Sequence, residues 1–288
     1  KMTFSKFEDY WMDGKPYLDE ITLRFMPEYN TAKNALLSKE VDIITWPDTA
    51  DVESLQANDD LALHYYNVNA IMYICINTKS EPLDDPRVRK AIALATNRKA
   101  YNSALYKGLG EVAWTPIPKS QPYYKESWEY ERDIEKAKEL LAEAGYPDGF
   151  EIDIMALKGA EEIMGEVLQS DLDAIGIEGK ITINDIPVAL DAIFNKEEFD
   201  LGVLGDVVSP DPDLYVSKYL VPDGQTAGAT GRWDNARVRE LAQEGRGTID
   251  MDKRIEIYQD LYDIVMEKVP QIFLAWPVRH PVSYDYVK

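Results

Sequence analysis

The chain has 288 residues, 45% of them hydrophobic, enough to bury a sizeable core in one or two domains. Its 52 acidic against 31 basic residues give a formal charge of −21, which repels nucleic acid and anionic lipid surfaces. No apolar run reaches the roughly 18 residues that span a bilayer. A single cysteine, Cys75, excludes an internal disulfide framework and a cysteine-rich metal site; it sits in an apolar run and reads as a core thiol.

Residues 20–27 alternate apolar and polar side chains, as a half-buried strand does. Asn30 and Thr31 offer capping oxygens to a helix over 32–39, followed by a buried strand at 41–45 and another strand at 61–68. Residues 71–97 carry the clearest local signal: an apolar strand, a polar turn, and a helix with a marked start. Asp84 and Asp85 can cap that helix, and Pro86 takes a first position that needs no N–H. Val88, Ala91, Ile92 and Ala95 then share one stripe. A second helix over 97–108 stops at Gly108 and Gly110. Pro116, Pro118 and Pro122 keep 115–124 out of regular pairing.

Residues 133–144 form an amphipathic helix through Ile134, Ala137, Leu140, Leu141 and Ala144, ended by Gly145 and Pro147. A strand follows at 150–156. The longest predicted helix covers 161–175, with Ile163, Met164, Val167, Leu168, Leu172 and Ile175 along its stripe. Next come a strand at 180–186, a short helix at 188–194 and a strand at 199–204. An acidic, proline-broken segment covers 206–213 and a glycine-rich loop 223–231. A final helix, 252–266, uses Ile255, Tyr258, Leu261, Tyr262 and Val265, and a strand at 272–276 closes the series. The alternation predicts α/β layers, with helices covering a mixed sheet.

Four segments in order carry a family resemblance. They are YWMDGKPYLDEITLRFMPEYNTAKNALLSKEVDII (10–44), the 71–97 unit, EKAKELLAEAGYPDGFEIDI (135–154) and FDLGVLGDVVSPDPDLYVSKYL (199–220). Together they resemble the family 5 extracellular solute-binding proteins, the peptide, dipeptide and nickel receptors that feed ABC importers. Lys39 stands where that family usually has glycine. The resemblance implies an α/β, periplasmic-binding-protein-like lobe with a mixed sheet flanked by helices, plus part of the first lobe. It places an incomplete lobe one at 1–69, lobe two at 70–280 and the start of a return to lobe one at 281–288. Family members are longer, so the chain reads as a cut piece, with an export signal expected ahead of Lys1. The implied protein is a monomer, exported to the periplasm or held at the cell surface as a lipoprotein. It takes a peptide or other small-molecule ligand, hands it to an ABC permease in the membrane, and uses no cofactor, metal or catalytic residue.

Peptide-binding relatives carry a Gly-Trp-x-x-Asp-x-x-Asp-Pro-Asp pattern whose first aspartate pairs with the peptide amine. Aligning on Asp211-Pro212-Asp213 puts Val208 at that aspartate and Gly205 at the tryptophan. Valine cannot pair an ammonium, and a buried unpaired ammonium is strongly unfavourable. Two readings stay open. Asp206 substitutes, since strand alternation keeps 206 and 208 on one face, or the ligand brings no free amine to that spot. Gly205 in place of tryptophan is expected to widen the floor of the site. The candidate ligand-binding residues are Gly205, Asp206, Val207, Val208 and Ser209, with Tyr73 and Trp276 either stacking on ligand or packing in the core. Asp211 and Asp213 read as turn chemistry, Asp213 capping a helix near Leu214, and Trp233 as packing.

Other function classes have thinner support. His64 and His280 have no ligand partners at metal spacing, although an oligosaccharide or a chelated metal is an alternative ligand. A hydrolase using paired carboxylates, Asp206 with Asp211 or Glu161 with Glu162, is the enzyme alternative. A sensory module with a filled cleft is a third. No phosphate loop or dinucleotide fingerprint is present.

Overall fold

The computed structural model describes residues 1–287, the side chains of Asn67 and Ala160 aside. The first part of the chain forms β1 (Met2–Ser5), β2 (Glu20–Leu23), α1 (Tyr29–Leu37), β3 (Ile43–Ile44), α2 (Val52–Gln56), β4 (Leu61–Leu63) and β5 (Tyr66–Asn67). Then come β6 (Ala70–Ile76), α3 (Pro86–Ala95), α4 (Arg98–Tyr106), β7 (Glu111–Val112), α5 (Ile134–Glu143), β8 (Glu151–Leu157), α6 (Ala160–Asp173) and β9 (Glu178–Asn184). The last part holds α7 (Ile186–Asp191), β10 (Leu201–Val207), α8 (Pro212–Tyr215), α9 (Ala236–Gly247), α10 (Met251–Lys268), β11 (Gln271–Trp276), β12 (Val278–Arg279) and β13 (Val282–Tyr284).

The chain divides into two compact units, residues 1–66 with 279–288 and residues 67–278. The cuts expected from sequence stood at 69/70 and 280/281; Lys288 lies outside the described residues. In the smaller unit β1 and β2 pair antiparallel, and β3, β13 and β4 form a small sheet over Leu36, Ile44, Leu55, Val282 and Tyr284. Its elements are shorter than their patterns suggested. The strand at 20–27 contracts to Glu20–Leu23, that at 41–45 to Ile43–Ile44 with Ile43 exposed, and 61–68 splits in two. Helix α1 starts at Tyr29, before Asn30 and Thr31, and its N-cap, Glu28, makes no side-chain cap bond.

The larger unit is built on a six-stranded sheet of order β7-β11-β6-β10-β8-β9. β6 is central and antiparallel to β10 and β11, while β8 runs parallel to β10 and β9, so the predicted mixed sheet is what forms. Burial on both faces is why β6 reads as a near-continuous apolar run. Met72, Ile74 and Ile76 point to one face, with Ile154, Leu201 and Val203, and helices α3 to α6 cover them. Ile71, Tyr73 and Cys75 point to the other, under α7 to α10.

Capping sets the helix starts on the first face, and for α3 one of the two expected residues, Asp85, does it. The Asp85 carboxylate accepts from Arg87 N–H at 2.8 Å with Pro86 in the first turn, Asn97 from Ala100 N–H at 3.1 Å, and Asp133 from Lys136 N–H at 2.9 Å. Arg89, on α3, is buried. It donates to the carbonyls of Leu83, Asp84, Lys268 and Val269 at 2.6–3.0 Å, tying the entry of α3 to the end of α10. Two expectations needed correction here. The longest helix is α10, with 18 residues against 14 in α6, and Ile163, placed on the apolar stripe of α6, is 41% exposed.

The second face departs further from its sequence pattern. α7 begins at Ile186 and continues as a π-helical turn to Lys196, and α8 continues likewise through Val216–Leu220. Helix α9 was not predicted. Its buried stripe is Val238, Leu241, Ala242 and Gly245, and Gly245 is there because Tyr258 lies against it: a Cβ would come within 2.6 Å of the ring. β10 runs to Val207 instead of stopping at 204, which puts Asp206 on the strand rather than in the loop after it.

Candidate functional site at the end of strand β10

β10 outlasts one of its neighbours. It pairs with β6 along its whole length, but with β8 only through Leu201, Gly202 and Val203. Asp200 and Val208 bracket the strand with backbone bonds to Asn77 and Asn69, at 2.9 and 2.8 Å, so even-numbered residues are the hydrogen-bonded pairs with β6. The N–H and C=O groups of Gly205 and Val207 therefore point to the edge that β8 has left. Val207 N–H is taken by Asp206 Oδ1 at 2.7 Å. Gly205 is exposed and Val207 is 71% exposed, so the edge is open to solvent.

Alternation sends the Asp206 side chain to the aromatic face. There its Oδ2 accepts hydrogen bonds from Lys218 Nζ and Tyr219 OH. Tyr73 OH donates to Tyr219 OH at 3.1 Å, extending the polar chain from the site into the core. The Tyr219 ring packs edge-on to Tyr73 and stacks on Tyr215, whose OH donates to Gln271 Oε1 at 2.9 Å. Burial, reinforced by the Asp206 bond, pushes the Tyr219 phenol well above its ordinary range, and burial alone does most of the same for Tyr73. Both stay neutral donors.

The segment that follows fixes Lys218. Asp211 caps α8 through Asp213 N–H at 2.9 Å with Pro212 in the first turn, so the cap is Asp211 and not Asp213. The Lys218 carbonyl accepts from Thr226 N–H and Thr226 Oγ1, both at 3.1 Å, and Gly224 lies so close that a Cβ there would be 2.5 Å from the same oxygen. The two other carboxylates are also paired. Asp211 takes Arg254 at 2.9 Å, and Asp213 takes Arg246 at 2.9 Å and Ser217 Oγ at 2.8 Å. The turn-chemistry reading therefore fits Asp211, the helix cap, while the Asp213 carboxylate is used in pairing rather than capping.

The structure separates the sequence candidates into two groups. Gly205, Asp206, Val207 and Ser209 line the accessible end of β10, with Ser209 Oγ accepting from Asp211 N–H at 3.3 Å. Tyr73, Val208 and Trp276 are core, at 0%, 7% and 5% exposure. Trp276 reaches that core through a β-bulge in β11. The register steps from Phe273 opposite Tyr73 to Ala275 opposite Met72, so Phe273 and Trp276 share a face despite their odd spacing. Gly205 does not widen the floor beside Asp206. A side chain there would point to the opposite face, where the Met72 sulfur already lies 2.6 Å from the Cβ position. Trp233 packs in the core, as expected.

Sequence reading missed Lys218 and Tyr219. The i, i+4 pair Tyr215 and Tyr219 was a signal for a helical stripe, but nothing in the sequence aims Lys218 at a strand residue twelve positions earlier. Of the proposed carboxylate pairs, Asp206 and Asp211 are each held by a different cation, and Glu162 accepts from Gly159 N–H at 3.1 Å at the start of α6. Among the described residues no group of three or more His, Cys, Asp or Glu side chains is placed to hold a metal ion, and no helix is long and apolar enough to cross a membrane. A groove of about 650 Å³ opens at the other end of β10, near Ser80, Asp153, Glu197 and Asp200. Within it Glu197 pairs with Lys79 and Arg232, and Asp200 accepts from Ser80.

Residues 1–227 match the family model for bacterial extracellular solute-binding proteins, family 5 Middle. The chain is 30% identical to heme-binding protein A of Haemophilus influenzae, over 96% of this chain and 51% of that one. It is 27% identical to the dipeptide-binding protein of Escherichia coli, over 98% and 55%. Among solved structures it resembles AgaA from A. tumefacien R10 in complex with agropinic acid, at 30% identity and a TM-score of 0.80, over 98% of this chain and 59% of that one. The chain spans about half the length of the curated relatives it matches.

Proposed function

The chain belongs to the bacterial extracellular solute-binding proteins of family 5, and from that premise we propose that it is the solute-gripping part of a receptor serving an ABC importer. The solute is a peptide or a peptide-like molecule, and the receptor delivers it to a membrane permease. The carrying observation is the unpaired edge of β10. Gly205 offers its backbone N–H and C=O there with no side chain in the way, and Asp206 and Lys218 provide a polar end-group beside it. An extended backbone can add to such an edge, with affinity from main-chain hydrogen bonds and selectivity from the flanking side chains.

In this reading Gly205, Asp206, Val207 and Ser209 meet the ligand, while Tyr73 and Trp276 support them from the core. A second lobe of the whole receptor closes over the solute and expels water, driven by contacts that only the closed form makes. The protein is exported, works in the periplasm or as a cell-surface lipoprotein, acts as a monomer and performs no catalytic step.

The test is direct. Solutes that co-purify with the full-length protein are identified by mass spectrometry, then titrated back by calorimetry alongside di- and tripeptides. Saturable binding of a peptide-like solute is expected, weakened about tenfold or more by Gly205→Pro, which removes the edge N–H. A full-length protein that retains no solute and takes up no peptide overturns the reading.

A further inference from the structure

We propose that Lys218 is a built-in occupant of the ammonium position at Asp206, so that the site selects solutes bringing no free amine to that point. This deepens the receptor reading and rests on it. Each of the three carboxylates in the segment from Asp206 to Asp213 already holds a cation supplied by the chain: Lys218 on Asp206, Arg254 on Asp211 and Arg246 on Asp213. The Asp206–Lys218 pair is partly accessible, with the two side chains 26% and 34% exposed, so it forms part of the surface an incoming solute meets.

The geometry makes this pair hard to displace. The Lys218 carbonyl is fixed by both Thr226 donors and by the close approach of Gly224, which holds the start of the side chain in place. Its ammonium lies 5.2 Å from the centre of the Tyr219 ring, and the Tyr219 hydroxyl bonds the same carboxylate oxygen. Asp206 Oδ1 is taken by Val207 N–H. A solute ammonium arriving here would face a like charge and a carboxylate with its donors already in place. An ammonium has three N–H groups, and Asp206 engages one of those on Lys218. The others suit an acceptor: an amide or acyl oxygen, or a carboxylate. The solute class is therefore N-acylated or cyclised peptide-like molecules and related acids without a free α-amine at this end.

The experiment titrates the full-length protein by calorimetry with Met-Leu and with N-acetyl-Met-Leu. Wild type is expected to bind the acetylated peptide at least tenfold more tightly. Lys218→Met leaves Asp206 uncompensated and is expected to reverse the preference, whereas Lys218→Arg retains it. A wild-type preference for Met-Leu, or discrimination below threefold, overturns the inference without needing any variant to fold, and leaves the receptor reading standing. An unchanged preference in a folded Lys218→Met protein also overturns it. Binding of neither peptide by wild type or variants overturns the receptor reading for peptides, and the inference with it.

Discussion

The two faces of the central sheet in the larger unit are buried to a similar degree but by different chemistry. One face is aliphatic, with Ile74, Ile76, Ile154, Leu168 and Leu172 under the regular helices α3 to α6. The other is aromatic, with Tyr73, Tyr215, Tyr219, Phe273 and Trp276 under α7 to α10, of which α7 and α8 run on into π turns. An aliphatic side chain offers only its volume and area. A tyrosine offers those and a hydroxyl that can hydrogen-bond. On the aromatic face two of those hydroxyls form a chain from Tyr73 through Tyr219 to Asp206, while that of Tyr215 goes to Gln271, so the packing of the core and the polarity of the site meet in one structure. The comparison makes a general claim: substitutions on the aliphatic face alter stability alone, whereas those on the aromatic face alter stability and solute selection together.

The largest effect is expected at Ile154, fully buried at the middle of β8. Ile154→Ala removes three methyl or methylene groups from a close-packed layer and leaves a cavity, a loss of about 2–5 kcal/mol. Urea denaturation of the full-length protein reads the loss, and calorimetry with any bound solute reads selectivity. Lower stability with the order of ligand preference intact sharpens the comparison. A changed order breaks it, because the aliphatic face would then be speaking to the site.

A pH-dependent effect of similar or smaller size is expected from the same face. Asp171, on α6, is buried and accepts from Asn97 N–H at 2.8 Å and from Arg132 at 3.2 Å. Burial raises its carboxyl from an ordinary 3.8 to about 6, against the lowering pull of Asn97, Arg132 and Arg98. Between those values the folded chain binds more protons than the unfolded one, so stability falls as pH rises. The contribution is complete below pH 3.8 and lost once pH passes about 6. Asp171→Asn cannot ionise. Measured against it, wild-type stability should therefore decline by up to about 3 kcal/mol between pH 4 and 7. A difference that stays flat, or rises with pH, contradicts the burial argument.

The aliphatic face was also the legible one. Asp85, Asn97 and Asp133 fixed helix starts by local chemistry, and the stripes of α3 and α5 follow from spacing that needs no knowledge of the fold. The aromatic face depends on contacts between distant segments. The bulge at Phe273–Ala275 moves Trp276 into the core by one residue's change of register, and Gly245 in α9 makes sense only against Tyr258. At the site, Asp206 was visible as an acidic residue in the segment after a predicted strand, and its shared face with Val208 followed from alternation, but its place on the strand itself was not. Lys218 was invisible because its approach depends on a π turn after a four-residue helix, held by a loop eight residues further on.

The smallest and most discriminating effect is expected at Tyr219, where both properties of the aromatic face reside in one side chain. Tyr219→Phe keeps the ring, and so its stack on Tyr215 and its edge contact with Tyr73, but removes the hydroxyl that joins Tyr73 to Asp206. Losing that hydroxyl leaves the buried Tyr73 OH without its acceptor, a cost of about 1–2 kcal/mol in urea denaturation. The second consequence is at the carboxylate. With one donor gone, Asp206 Oδ2 is less well compensated and keeps only Lys218, so discrimination against a free amine should weaken by several-fold, less than in Lys218→Met. If Tyr219→Phe loses stability while its preference between Met-Leu and N-acetyl-Met-Leu stays as in wild type, the hydroxyl chain is scaffolding only. The two faces would then differ in composition and not in what they do.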